Sequence, residues 1–169
     1  MNVKLGVGVG LILGVVFTLL TVGTFFKIAA PTMIFNEVAS TYDFDKTVEL
    51  IKNRINKQDG WHVTSIIDQQ KEIIEYGGQA IGKVKIIKFC NGKLSGEMLA
   101  KDGSKFMATN MPLSISVYEK SDGRVTIGLM NGYLVARLFS GTREGALMEK
   151  AIKDMESILS FTHFRYTIF

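Results

Sequence analysis

Residues 113–130 read LSISVYEKSDGRVTIGLM. In the first half Leu113, Ile115 and Val117 alternate with Ser114, Ser116 and Tyr118. In the second half Val125, Ile127 and Leu129 alternate with Thr126, Gly128 and Met130. Successive side chains of a strand point to opposite faces, so each half is a strand with one apolar side. Between them stands Ser121-Asp122-Gly123, and Asp-Gly suits the left-handed residues of a tight hairpin turn. The halves therefore pair antiparallel and share one apolar face. Something must cover that face, and the flanking segments are helices able to do so.

Downstream, Asn131 is placed to cap a helix carrying Leu134 and Leu138. After Ser140-Gly141 a longer helix runs to about Ser160, with Met148, Ala151, Met155, Ile158 and Leu159 on its apolar side. Upstream, Val84–Phe89 (VKIIKF) is a strand that runs into Cys90-Asn91-Gly92. Lys93–Lys101 is then a short helix with Leu94 and Met98 on one face, and Gly103 and Ser104 belong to a loop. Trp61–Ile67 is a further strand, with Trp61, Val63 and Ile67 on one side and His62 on the other. Gln69–Tyr76 is a short helix ended by Gly77-Gly78. Asp43 is an N-cap for the stripe Phe44, Val48, Ile51 and Ile55, which Asp59-Gly60 stops. This order predicts an α+β domain, a compact antiparallel sheet with helices packed on one face. The tail Phe161–Phe169 (FTHFRYTIF) reads as a last strand or a docking segment.

The N-terminus is of a different kind. Leu5–Phe26 runs for 22 residues without a charge. As a helix it reaches about 33 Å, enough to cross the hydrocarbon core of a bilayer. Lys4 and Lys27 bracket it and can extend their ammonium groups to the headgroups. A cleaved signal peptide is the competing reading, but its apolar core usually runs only about 7–15 residues. A retained, single-pass signal-anchor is therefore expected. The α-amino group and Lys4 lie before the run, whereas no base occurs between Lys27 and Lys46. This bias puts the N-terminus inside and the domain on the outer, periplasmic or extracellular, side of the cell membrane. Gly6, Gly10 and Gly14 fall four apart, a spacing that permits helix–helix contact, although glycine is common in membrane helices anyway. The expected organisation is an anchor over 1–27, a juxtamembrane connector over 28–40 in which Pro31 ends the helix, the α+β domain over 41–160, where Thr41-Tyr42 close a short first strand, and the tail over 161–169.

Composition narrows the function classes. The net charge is +4; setting aside Lys4 and Lys27 leaves +2. No block of like charges stands out, so no nucleic-acid partner is expected. Cys90 is the single cysteine, which rules out an intrachain disulfide and a cysteine zinc cluster. His62 and His163 are the two histidines, and no His, Asp and Glu set has metal-ligand spacing. No cofactor is predicted, with non-covalent haem or a metal left open. The serines Ser114 and Ser116 lack a nucleophile-elbow context, and the glycines at 77, 78 and 82 fit neither phosphate-binding loop.

Several segments taken in order carry a resemblance. They are FDKTVELIK at 44–52, GWHVTSIID at 60–68, IIKFCNGKLSGEML at 86–99, MPLSISVYEKSDGRVTIGLMN at 111–131, and the following Leu134 to Gly141. Together they resemble the prokaryotic family called domain of unknown function 302, over roughly Tyr42–Leu159. The resemblance implies a compact α+β domain, an antiparallel sheet with helices on one side, and a homodimer. It implies no reaction. The chain departs from the family pattern at Gly92, where a proline commonly follows the asparagine.

The candidate site residues are few. Cys90 and Asn91 leave a strand just before a helix, whose N-terminus favours an anionic group beside it; a free cysteine is otherwise a small buried apolar residue. Ser114, Ser116, Tyr118 and Met130 line the hairpin face opposite the apolar one, next to Asn131. They could meet a ligand or a second copy, or simply be solvated. The reading is a membrane-anchored, non-catalytic binding or scaffolding module in contact with membrane lipid, as a homodimer or a subunit of a membrane complex. The alternative is a thiol-dependent or small-ligand-binding protein of redox or sulfur metabolism acting through Cys90.

Overall fold

The computed structural model describes residues 3–166. The chain divides into two units at Ile34. The first unit is one helix, α1 (Val3–Ile34). Its segment Gly6–Lys27 has a mean hydropathy of 2.3 and is long and apolar enough to cross a membrane. Thr18 Oγ1 donates to the Gly14 carbonyl at 2.9 Å and Thr21 Oγ1 to the Phe17 carbonyl at 3.0 Å. These hydroxyls are thus satisfied without water. A Cβ added at Gly10 or Gly14 would meet nothing within 4 Å. The helix does not end before Pro31; it runs on to Ile34. Pro31 forfeits one intrahelical bond, and the helix ends within a turn of it.

The second unit, Phe35–Phe169, holds a five-stranded sheet in the order β1-β5-β4-β3-β2. The strands are β1 (Phe35–Ala39), β2 (Trp61–Asp68), β3 (Val84–Asn91), β4 (Leu113–Glu119) and β5 (Val125–Met130), and every neighbouring pair is antiparallel. The hairpin β4–β5 sits at the centre, as its alternation predicts. Ile115, Val117, Ile127 and Leu129 are buried on one face with Ile87 and Phe89 of β3. The short first strand is present, but it lies within the expected connector and ends at Ala39, ahead of Thr41-Tyr42. It pairs with β5, placing Phe35 opposite Met130 and Val38 opposite Ile127.

Strand β2 departs from simple alternation. The register shifts between Val63 and Ser65, so Thr64 is an extra residue. Trp61 and Val63 face the core opposite Asn91 and Phe89, but beyond the bulge it is Ile66 that stands opposite the buried Ile87. Ile67 therefore lies on the outer face with His62, not with Trp61 and Val63. One inserted residue reverses every side chain after it.

Helices α2 (Phe44–Lys57) and α6 (Arg143–Ile158) supply buried residues to the inner face. Asp43 caps α2, its Oδ1 accepting from the Lys46 amide at 2.9 Å, and Phe44, Val48, Ile51 and Ile55 are all buried. Met155, Ile158 and Leu159 close the core from the other end of the chain. Burying such a side chain is worth about 1.5–3 kcal/mol. α3 (Gln69–Glu75) joins β2 to β3 and buries nothing. α4 (Gly92–Met98) follows β3, and a 3-10 helix (Asp102–Asn110) leads to β4, in place of the expected loop. α5 (Gly132–Leu138) follows β5; it buries Ala136, while Leu138 is 78% exposed.

As far as Tyr166 the tail docks on the domain and forms no strand. A 3-10 turn (Ser160–Thr162) brings Phe164 into the core. Arg54 holds its start: Nε donates to the Ile158 carbonyl at 2.6 Å and Nη2 to Ser160 Oγ at 2.6 Å. Residues 167–169 and the side chains of Lys4 and Pro31 lie outside the described residues.

Candidate functional site

β3 and β5 both end, and β4 begins, at one end of the sheet. Each of the two ending strands turns into a helix through a buried asparagine. Asn91 Oδ1 accepts from the Leu94 amide at 3.1 Å, and Asn131 Oδ1 from the Leu134 amide at 3.3 Å. Both are N-caps. The paired positions Asn91 and Asn131 are thus structural devices that set the departure of α4 and α5.

Between these helices, α6 and the sheet end lies a cavity of about 540 Å³. At this end β3 overhangs β4: Phe89 pairs with Leu113, the first residue of β4, so Cys90 and Asn91 have no β4 partner. The cavity lies at that step. Phe89, Ile115 and Leu129 form its floor, Leu94 and Met98 come from α4, and Leu147, Ala151 and Met155 from α6. Trp61, the single tryptophan, also lines it. Its Nε1 donates to Asp154 Oδ2 at 2.8 Å and its ring lies 5.6 Å from that of Phe89.

Six of the eight methionines, Met98, Met107, Met111, Met130, Met148 and Met155, line this one cavity. Met is unbranched and polarisable, and adapts to irregular apolar partners. Among the described residues Lys88 is the only charged one in the lining. Tyr166, from the tail, closes one wall. Burial pushes its phenol well above the usual range, and nearby Glu156 adds to the effect, so it stays a neutral donor.

The structure brings some sequence-level candidates together and separates others. Cys90, Asn91, Ser114 and Met130 all line the cavity. Cys90 is half-buried, with Sγ 3.1 Å from Ser95 Oγ. Ser116 and Tyr118 lie further along the outer sheet face. Ser116 Oγ donates to the Gly128 carbonyl at 3.2 Å. The Tyr118 ring lies over Gly128, where an added Cβ would come within 3.2 Å of its Cε1. Its hydroxyl donates to Glu37, which also accepts from Lys120. Lys120 first, then Tyr118, holds the Glu37 carboxyl below its usual range, and burial raises the Tyr118 phenol. This outer-face cluster is a cross-strand clasp fastening β1 to the sheet, distinct from the cavity. Gly6, Gly10 and Gly14 belong to the other unit.

The cavity lining was largely missed at the sequence level. Met98, Met148 and Met155 read as ordinary helix-core residues, and Met107 and Met111 fell in an expected loop. Only the recurrence of methionine across α4, the 3-10 helix, β5 and α6 could have hinted at a shared wall. Among the described residues no group of three or more His, Cys, Asp or Glu could hold a metal ion.

The capping role gives an expected result for the Cys90-Asn91 pair. Asn91→Ala removes the α4 cap, which costs about 0.5–2 kcal/mol. It also loses the bond from Nδ2 to the Asp59 carbonyl at 3.3 Å. Cys90→Ser keeps a partner, since Ser95 Oγ is already beside it. Thermal unfolding of the full chain should show Asn91→Ala as the more destabilised of the two; the reverse order would mean that Asn91 does not hold α4.

Comparison with known proteins agrees with this architecture. The sequence pattern described as Domain of unknown function DUF302 matches residues 36–161. A crystal structure of an uncharacterized conserved protein DUF302 from Bacillus stearothermophilus superimposes with a TM-score of 0.66 at 17% identity, covering 77% of this chain and 98% of that one. At that identity the likeness concerns the fold. No curated protein matches the chain.

Proposed function

The chain belongs to the DUF302 family, and from that footing we propose that it is a membrane-tethered binding module that holds an apolar small molecule and catalyses nothing itself. One observation carries this reading: the cavity of about 540 Å³ with six methionines in its wall. Ligand sites are typically concave, mainly apolar, about 300–1,000 Å³ in volume, and furnished with a few polar groups. Here the polar groups include Lys88, Cys90, Ser95, Thr109, Asn110, Ser114 and Tyr166. The tether is α1, read as a retained anchor with the domain on the outer side, because bases favour the N-terminal flank. An export-dependent reporter fused after Phe169 should be active; activity of only a cytoplasm-dependent reporter would reverse the orientation. A second copy or a larger membrane complex as partner is tested by co-purification from native membranes in mild detergent, where recovery of a lone chain would count against it.

The cavity itself is tested with N-phenyl-1-naphthylamine, a neutral apolar fluorophore. Full-length protein in phosphatidylcholine nanodiscs is excited through Trp61. Saturable energy transfer, lost in Ala151→Phe, is expected. Transfer no greater than that of the filled variant would remove the binding reading. The thiol reading rests on Cys90 lining the same cavity, half-buried beside Ser95. A thiol reagent titrated across pH separates the two: rapid modification at neutral pH supports the thiol role, whereas slow modification supports simple binding.

A further inference from the structure

We infer that the cavity takes a single-chain anionic amphiphile, a long-chain fatty carboxylate, with its tail among the methionines and its carboxylate at Lys88. This rests on the cavity being a ligand site, as proposed above. The volume limits the size of the guest. At roughly 30 Å³ per non-hydrogen atom, the share of one water in the liquid, 540 Å³ holds on the order of 18 such atoms. That is about the size of one acyl chain. The wall suits a flexible chain, because unbranched thioethers can follow its bends.

The charge limits the head. Among the described residues the lining contains Lys88 and no acid. Other lysines of the same strand region are paired, Lys85 with Asp45 at 3.3 Å and Lys83 with Glu119 at 3.4 Å. Among the described residues Lys88 makes no ion pair, although it is half-buried. A cation partly removed from water without a counter-ion is unfavourable, and a guest carboxylate supplies one. Ser114 stands directly opposite Lys88 in the register and Cys90 lies two residues along the same face, so a hydroxyl donor flanks the cation. A charge-assisted contact of this kind is stronger than a neutral one.

The supply is a bilayer. Fatty carboxylates partition into membranes, and this chain begins with a helix of spanning length.

The test uses full-length protein in phosphatidylcholine nanodiscs and bromine-labelled stearate, with Trp61 emission as the readout, since bromine quenches at short range. Saturable quenching that unlabelled stearate reverses is expected. Lys88→Gln should raise the half-saturating concentration about tenfold, the effect of losing about 1.4 kcal/mol. A brominated lysophosphatidylcholine of the same chain length, zwitterionic at its head, should quench at least tenfold more weakly. Equal response to both heads, or an unchanged Lys88→Gln, would overturn the carboxylate assignment while naphthylamine binding leaves the binding module intact. No saturable quenching together with no naphthylamine binding would overturn both.

Discussion

Phe89→Ala is expected to cost about 3–5 kcal/mol of folding stability, the range for removing a buried aromatic side chain. Phe89 is 1% exposed and belongs to the main apolar cluster. It faces Trp61 across the β2–β3 pair, in register with Val63, and forms part of the cavity floor. The site cannot collapse easily, because strands on both sides of β3 hold the backbone in place. The loss is large against a domain stability of about 5–15 kcal/mol. Unfolding of the full chain in denaturant, followed through the emission of Trp61, measures it. Ile74→Ala, at a position 51% exposed on α3, should stay within about 0.5 kcal/mol. A cost for Phe89→Ala no larger than for Ile74→Ala would mean that the cavity floor is not packed as described.

Gly145→Ala is the second large effect, and its sign opposes helix propensity. An alanine in a helix interior is ordinarily favoured over glycine by about 1 kcal/mol. Gly145 sits in the first turn of α6, where its amide donates to the Thr142 Oγ1 cap at 3.0 Å. A Cβ there would lie 2.2 Å from the Phe139 carbonyl oxygen and 2.9 Å from its carbon. That carbonyl cannot swing away cheaply, since it accepts from the Thr142 amide at 3.1 Å and from Thr142 Oγ1 at 2.7 Å. The α5–α6 connection must shift, and both helices line the cavity. A destabilisation of about 1–3 kcal/mol or more is expected. Gly92→Ala is the matched comparison, because a Cβ at Gly92 would meet nothing within 4 Å. Thermal melts should show Gly92→Ala unchanged or slightly stabilised and Gly145→Ala clearly lowered. Two equal melts would remove the steric account of the α5–α6 corner.

Where local chemistry acts alone, sequence and structure agree. The alternation of Leu113–Met130 names its own buried face, and of the Asp-Gly pair Gly123 alone takes the left-handed position of the turn. Asp43, Asn91 and Asn131 cap helices because a short polar side chain before an apolar stripe has few better uses. The family resemblance over the α+β region also follows from ordered local segments. Cys90, Ser114 and Met130 stand out in the sequence one by one, and the fold gathers them at one cavity.

Other features needed the assembled chain. β1 has too few residues to show a period, and it is a strand because β5 offers an open edge beside it. The bulge at Thr64 carries Ile67 to the outer face, although nothing in WHVTSIID marks an inserted residue. Gly145 looks dispensable until the Phe139 carbonyl is placed against it. The cavity is the largest of these gaps. Its methionines come from α4, the 3-10 helix, β5 and α6, far apart along the chain. Hydrophobic periodicity tells each segment which side to bury, but it carries no information about which buried sides will meet. A void arises only where several helices and a sheet end fail to fill the space between them, so it is a property of their packing.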